Sequence, residues 1–337
     1  MCGGGPPVAR PRTQTIAAFT APICRRVPGA IRARLPPSMP TPYPAGVASS
    51  SSPLLVVDAP SMLFRAFYAL PKTITGPDGQ PVNALLGTAN LVLREVELHQ
   101  PRAVVLCFGP DAAAYRTELY PAYHAERDEA MPDELPDQFT ASGPFFEAFG
   151  WTVATSDDLE ADDLLGTYAR REAEAGGQAL ILTGDRDMYQ CAAPGITVLY
   201  VRTGGKGAEE VDPDGVRERY GIDPEQVPDF IALRGDPADG LPGAKGVGPK
   251  TAAELLNEHG SLEAILDSAV RERRPKLRAA LIEGREELLA FKDIATLRDA
   301  GVQPPPDGPT DWEGAAKAAL ELGMRKLAER LIETGAS

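Results

Sequence analysis

Cysteine and histidine are scarce. The 337-residue chain has four cysteines, Cys2, Cys24, Cys107 and Cys191, none in a CxxC pair, and three histidines, His99, His124 and His259. A disulfide scaffold and a Cys/His zinc site are thereby excluded, and a reducing cytoplasm fits. A metal centre must then be built from carboxylates, whose oxygens select Mg²⁺, Mn²⁺ or Ca²⁺. No apolar run reaches the roughly 18 residues of a membrane helix, so no membrane is expected. The GxxxxGK[ST] spacing of a P-loop is missing, and so is the acid spacing of an EF-hand. An aspartyl-nucleophile phosphatase would carry a second Asp two positions after the first, but Asp58 is followed by Ala59-Pro60-Ser61. Basic excess is lacking too. The net charge of −14 argues against a simple nucleic-acid-binding module.

What is there is a globular core, since 43% of residues are hydrophobic and 24% charged. Residues 1–52 stand apart, with six Arg and neither Asp nor Glu among many Pro, Gly, Ser and Ala. This leader is expected to be disordered, with a transit peptide or a start at Met39 as rival readings. Without it, 28 basic residues face 48 acids. From Pro53 short apolar runs read as buried strands: Leu54–Val57, Ala103–Phe108, Thr152–Ala154, Ala179–Thr183 and Ile196–Val201. Helical patterns alternate with them at Val82–Glu97, Gln138–Phe149 and Ala161–Glu174. The alternation predicts an α/β domain with a mainly parallel sheet over residues 53–223. After about Pro224 the patterns are helical: Asp229–Arg234, Pro249–His259, Leu262–Asp267, Glu286–Leu297 and Glu313–Ile332. They divide into a region at 224–300 and C-terminal helices of unknown role at 301–337.

The acids are not scattered. Asp58 follows the first strand, Glu160-Ala161-Asp162-Asp163 opens a helix after the third, and Thr183-Gly184-Asp185-Arg186-Asp187 follows the fourth. Asp236 and Asp239 lie between helices in Gly235-Asp236-Pro237-Ala238-Asp239-Gly240. One such group is ordinary, because acids suit helix N-termini and turns. Several at successive strand ends converge on one sheet edge, where open α/β sheets bind ligands. Two carboxylates about 4 Å apart repel by roughly 4 kcal/mol at an effective dielectric near 20, so such a cluster calls for cations. Paired Mg²⁺ ions are a known device for cleaving phosphodiesters.

A second signal is Gly246-Val247-Gly248-Pro249-Lys250-Thr251. The glycines permit a tight hairpin and close backbone approach, and Pro249 suits a helix's first turn. Exposed N–H groups and Lys250 then face an anion, the logic of a helix–hairpin–helix that grips nucleic-acid backbone without reading bases.

In the order DxxS, EADD, TGDRDM, GDPADGLPG and GVGPKTA, the chain resembles the 5′–3′ exonuclease and flap endonuclease family, over roughly Leu54 to Leu297. That family includes the N-terminal domain of bacterial DNA polymerase I; the present sequence looks like a stand-alone form. The resemblance implies a PIN-like domain, a helix–three-turn–helix element and two divalent-metal sites holding Mg²⁺ or Mn²⁺. By motif, Asp58, Glu160, Asp162 and Asp163 would hold the first site, and Asp185, Asp187, Asp236 and Asp239 the second. An arch over about 111–131 would place Arg116, Tyr123 and Arg127 on the 5′ strand. Arg65 matches a position near the scissile phosphate, while Gly246, Gly248, Lys250 and Thr251 would hold the duplex.

There are departures. Gly109 stands where the family carries an Asp after the second strand, and Asp111 two residues later is a possible substitute. His124 replaces a Lys of the arch, and Gly240 replaces an Asn. Losing the carboxylate at Gly109 weakens the first metal site, leaving activity low, Mn²⁺-dependent or absent, and His124 weakens a contact to transition-state charge. The expectation is a metal-dependent nuclease acting on 5′ ends, flaps or nicks of DNA in replication or repair. Functional links to a polymerase and a ligase, and a monomeric state, are expected with it. The alternatives are a catalytically weakened, structure-specific DNA-binding protein on the same fold and a PIN-type ribonuclease.

Overall fold

A computed structural model describes residues 52–125, 131–202 and 207–336. Residues 1–51 of the N-terminal leader and Arg127 lie outside them. Six strands form one sheet: β1 Leu54–Asp58, β2 Ala103–Phe108, β3 Thr152–Thr155, β4 Ala179–Thr183, β5 Ile196–Val201 and β6 Ala208–Val211. Their order is β3-β2-β1-β4-β5-β6, parallel except for the antiparallel edge pair β5–β6. The predicted α/β class and its five strands are present. β6, with the sequence Ala-Glu-Glu-Val, was not anticipated, because an exposed edge strand carries no apolar run.

Among the described residues thirteen α-helices complete the fold. In the first half these are α1 Ala59–Ala69, α2 Asn83–His99, α3 Ala114–Leu119, α4 Leu135–Glu147, α5 Ala161–Glu174 and α6 Pro213–Tyr220. The second half holds α7 Val227–Arg234, α8 Pro249–His259, α9 Leu262–Ser268, α10 Pro275–Glu283, α11 Arg285–Ala295, α12 Trp312–Glu321 and α13 Arg325–Gly335. The single pattern expected at Glu313–Ile332 is two helices, parted at Gly323, whose φ of +75° suits glycine.

Strand residues alternate between two cores. Leu54 and Val56 point to one face, where α5 meets the helical half through Leu164, Phe230, Leu255 and Phe291. Leu55 and Val57 point to the other, packed with Phe67, Leu85, Leu93 and Phe146. Ala315, Ala319, Leu327 and Leu331 of α12 and α13 belong to that second core. The C-terminal helices of unassigned role therefore complete the first domain. The chain returns across the sheet side through Gly308 N–H donating to the Arg102 carbonyl and Asp311 N–H to that of Phe149, each at 2.8 Å.

Between β1 and β4 the strand order reverses, since β2 and β3 extend one way and β5 and β6 the other. Such a switch point leaves a crevice at the carboxyl ends of the two central strands. Asp58 ends β1, and Asp185 follows β4.

Candidate metal centre and nucleic-acid cradle

Asp58 is buried at 5% exposure and fixed from two sides. Its Oδ1 caps α1 by accepting from Ser61 N–H at 3.0 Å, and its Oδ2 accepts from the Thr183 hydroxyl at 2.7 Å. Thr183 Oγ1 in turn accepts from Asp185 N–H at 2.9 Å, and Asp185 Oδ1 accepts from Asp187 N–H at 2.9 Å. One hydrogen-bonded relay thus ties the β1 acid to the β4 turn. Arg65, one helical turn after Ser61, donates from Nη2 to the Gly184 carbonyl at 2.6 Å, which holds its guanidinium beside Asp58.

The carboxyls here sense one another. Burial raises Asp58 above the ordinary carboxylate range. Burial, then Asp58, Asp185 and Glu160, raise Asp162 well above it. Asp187 is raised well above it by burial, then by Asp185, Asp239, Asp236 and Asp162. Burial, with Asp239, Asp58 and Asp236 adding to it, pushes Asp185 up to about 6. Desolvation and like charge together disfavour ionisation, and a cation reverses both. Among the described residues no three His, Cys, Asp or Glu side chains already form a closed ligand set. The donor chemistry of Asp58, Asp162, Asp185 and Asp187 nevertheless fits a hard divalent ion, with Asp236 and Asp239 around it.

Two of the expected ligands serve elsewhere. Glu160 accepts from Ala113 N–H at 2.7 Å and from the Tyr123 hydroxyl at 3.1 Å, and pairs with Arg116 Nη1 at 2.7 Å. Asp163, fully buried, accepts from Arg116 Nη2 at 3.1 Å, Arg298 N–H at 2.8 Å and Glu160 N–H at 3.1 Å. Both carboxylates are held by several donors, and Glu160 is still close enough to raise Asp162. They act as a brace: Asp163, expected as a metal ligand, caps α5 and pairs with Arg116.

Arg116 takes part in the same brace. At 3% exposure, and donating from Nε to the Ile294 carbonyl at 2.9 Å, it joins α3, α5 and α11. Its place in the expected arch marked it in the sequence, while its burial and ion pairs are visible only in the structure. Tyr123, expected on the 5′ strand, is buried at 5%, bonded to Glu160 and stacked on His124 with centroids 3.9 Å apart. His124 adopts φ +57° and its Nε2 lies 3.1 Å from Asp239 Oδ1. The residue standing in for an arch cation therefore contacts an acid of the second group. Sequence reasoning missed the relay residue Thr183 and the partnership of His124 with Asp239, because neither follows from a motif.

The cradle is open. Between α7 and α8 the loop runs through Gly235, Gly240, Gly243 and Gly246, all at φ between +67° and +82°. Space around Gly246 and Gly248 is empty where a side chain would stand. Lys245 and Lys250 are exposed beside them, and Thr251 is half-buried. Gly240 keeps the left-handed backbone that Asn also tolerates, and a side chain there would press on the Ala122 carbonyl.

A sheet edge of acids beside a glycine hairpin describes what the family comparison finds. Residues 53–221 match the 5′-3′ exonuclease, N-terminal resolvase-like domain, and residues 222–306 match the 5′-3′ exonuclease, C-terminal SAM fold. The chain belongs to the 5′–3′ exonuclease family. A 5′-3′ exonuclease of Streptomyces coelicolor is 36% identical over 303 residues, covering 83% of this chain and 99% of that one. DNA polymerase I of Mycobacterium tuberculosis is 36% identical over 287 residues, and the chain spans 32% of its length, about a third. Among solved structures, T5 5′-exonuclease with bound zinc superposes with a TM-score of 0.60 at 18% identity, covering 83% of this chain and 98% of that one. The catalytic core of Rad2 with DNA substrate superposes with a TM-score of 0.56 at 16% identity, covering 84% and 92%. At these identities the likeness is one of fold.

For a member of this family, Gly109 is the departure with structural consequence. A Cβ there would lie 2.5 Å from the Leu159 carbonyl and 2.7 Å from Ala161 N. The backbone entering α5 fills the space a carboxylate would need. Asp111 does not replace it, being exposed and 3.7 Å from His124 Nδ1. Gly109→Asp is therefore expected to lower the melting temperature, and to lower rather than raise cation affinity. A calorimetric Mn²⁺ titration beside a thermal melt checks both.

The raised carboxyls set a pH dependence. A carboxyl whose folded value lies above its unfolded one costs stability that builds as pH rises from the unfolded value, 3.8, and is complete above the folded value, about 6 for Asp185. Cation binding removes that cost. The rise in melting temperature on adding Mg²⁺ is expected to be several degrees at pH 8 and to fade as pH falls through about 6. Scanning fluorimetry across pH checks it, and an increment independent of pH contradicts it.

Proposed function

We propose that this exonuclease-family chain is a divalent-metal-dependent 5′ nuclease of DNA, cutting 5′ ends and flap junctions to leave a 5′-phosphate and a 3′-hydroxyl. The observation that carries the reading is the mutual repulsion of Asp58, Asp162, Asp185 and Asp187 at the sheet's switch point. When bound, Mg²⁺ or Mn²⁺ supplies Lewis-acid activation of water and neutralises charge on the phosphate. Asp185 and Asp187 hold the better-provided position, with Asp236 and Asp239 nearby. Asp58 and Asp162 would hold the other, with Glu160 beside Asp162, while Gly109 offers no carboxylate and Asp163 is engaged by Arg116. An ion held by that pair would be the weaker of the two. Arg65, fixed by Ser61 and the Gly184 carbonyl, faces the charge that develops on the phosphoryl oxygens.

The hairpin Gly246–Thr251 grips duplex backbone through its N–H groups and Lys250, setting the distance from duplex to cut. The net negative charge is compatible with this division, since cations and local bases make the contacts. The reading places the chain in the cytoplasm as a monomer, beside a polymerase and a ligase able to use its products. Among the described residues no helix is long and apolar enough to cross a membrane.

The test is a flap duplex labelled at the 5′ end of the flap or at the 3′ end of the same strand, with Mg²⁺, Mn²⁺ or EDTA. Short 5′-labelled products whose 3′ ends a polymerase can extend are expected with either metal. Cleavage of RNA alone contradicts the reading. Binding without cleavage favours the structure-specific DNA-binding protein instead.

A further inference from the structure

The 3₁₀ turn Ala269–Arg271 and the start of α10 carry the densest positive charge in the helical half. Residues 271–278 read Arg-Glu-Arg-Arg-Pro-Lys-Leu-Arg, five cations against one acid in a chain of 48 acids and 34 bases. Ala269, Leu277 and Leu281 anchor the segment in the core that also holds Leu255 and Leu256 of α8. With those positions inward, Arg271, Arg273 and Lys276 are exposed. The single acid is already engaged. Glu272 pairs with Arg274 at 2.9 Å, and its carbonyl accepts from Arg278 Nη1 at 3.2 Å. Among the described residues Arg271, Arg273 and Lys276 enter no ion pair, so their charge is uncompensated locally.

An ordinary solvated face would interleave acids with these bases, as α11 does with Arg285, Glu286 and Glu287. The position also matters. Arg274 feels Glu254 and Glu258 of α8, the helix whose first turn forms the glycine cradle. From Lys250 to Glu258 is about 12 Å of helix axis. Glu254 is only about 6 Å along that axis from Lys250, so the cluster stands beside α8, beyond the first turn that forms the hairpin's end.

We propose that Arg271, Arg273 and Lys276 form a second phosphate-contact patch, gripping duplex backbone beyond the Gly246–Thr251 hairpin without reading sequence. The helical half then holds DNA at two points along one strand. A two-point grip fixes the duplex's direction as well as its distance from the carboxylates. The proposal rests on the DNA-nuclease reading above and deepens it.

The experiment is fluorescence anisotropy of the full chain on labelled flap duplexes, in Ca²⁺ to limit cleavage, over a range of salt. The variant is Arg271→Gln with Arg273→Gln and Lys276→Gln. The control carries the same charge change on exposed residues of α12 and α13: Lys317→Gln, Arg325→Gln and Lys326→Gln. Each phosphate contact adds about 0.9 to the slope of log K against log salt. The patch variant is expected to lose 2 to 3 units of slope magnitude (about 2.7 at full engagement), while Lys250→Ala loses about 1 and the control keeps the wild-type slope. On a duplex arm too short to pass the hairpin, patch variant and wild type are expected to bind alike. A patch variant with the wild-type slope, or one matched by the control, overturns the proposal. Wild-type protein that fails to bind any DNA overturns the nuclease reading, and the patch with it. A melting temperature unchanged in the patch variant accompanies the expected result, since only exposed side chains are altered.

Discussion

Asp185→Ala is expected to lower the rate of phosphodiester cleavage by at least about 10³-fold, a loss of some 4 kcal/mol of transition-state stabilisation. Asp187→Asn is expected to do the same. The carboxylates they remove are half-buried and pressed by several like charges. Such an arrangement costs folding free energy and is justified only by what it holds. The same substitutions therefore carry an opposite sign for stability. At pH 8 without metal, Asp187→Asn is expected to melt higher than wild type, and added Mg²⁺ to raise it less. Activity retained in either variant, or a metal-free melting point that falls, contradicts the assignment. Cleavage and scanning fluorimetry on one preparation read both effects.

The second large effect is structural. Arg116→Met leaves Glu160 and Asp163 buried without their cation. Breaking a buried pair in this way costs on the order of 3–5 kcal/mol. At about 2–4 °C per kcal/mol, the melting temperature is expected to fall by roughly 10 °C. Cleavage falls with it, because the brace fixes the first turn of α5, which carries Asp162. Combining Arg116→Met with Glu160→Gln and Asp163→Asn removes the unpaired charge and is expected to recover much of the lost stability. A change of less than about 2 °C in Arg116→Met would show that the ion pairs are not a brace.

How far the sequence carries the reader differs between fold and site. Strands β2, β4 and β5 are legible to the residue because buried parallel strands are continuous apolar runs. α5 and α8 are legible because Glu160 and Pro249 mark their starts. α1 hides behind Asp58-Ala59-Pro60, which reads as a turn until the Asp58 carboxylate is seen capping it. α12 and α13 look like a separate appendage in one dimension, since nothing local says that Leu327 and Leu331 pack against the first domain.

The acids were legible as a set through their strand-end positions, but their division of labour was not. Asp162 and Asp163 are adjacent, and helix geometry turns neighbouring side chains about 100° apart. One therefore faces the cluster while the other meets Arg116. The weakness at Gly109 was legible as a missing Asp. That the backbone of residues 159–161 closes the gap became visible only in three dimensions.

The most direct measurement is Mn²⁺ binding by calorimetry to wild-type protein and to Asp185→Asn at pH 8, without DNA. The account predicts one well-held ion in the wild type and a second, weaker one. It also predicts that the tight site is lost in the variant while the fold is kept. Equal Mn²⁺ affinity in the two proteins would contradict it, and would mean that the carboxylates at the end of β4 do not form the metal centre.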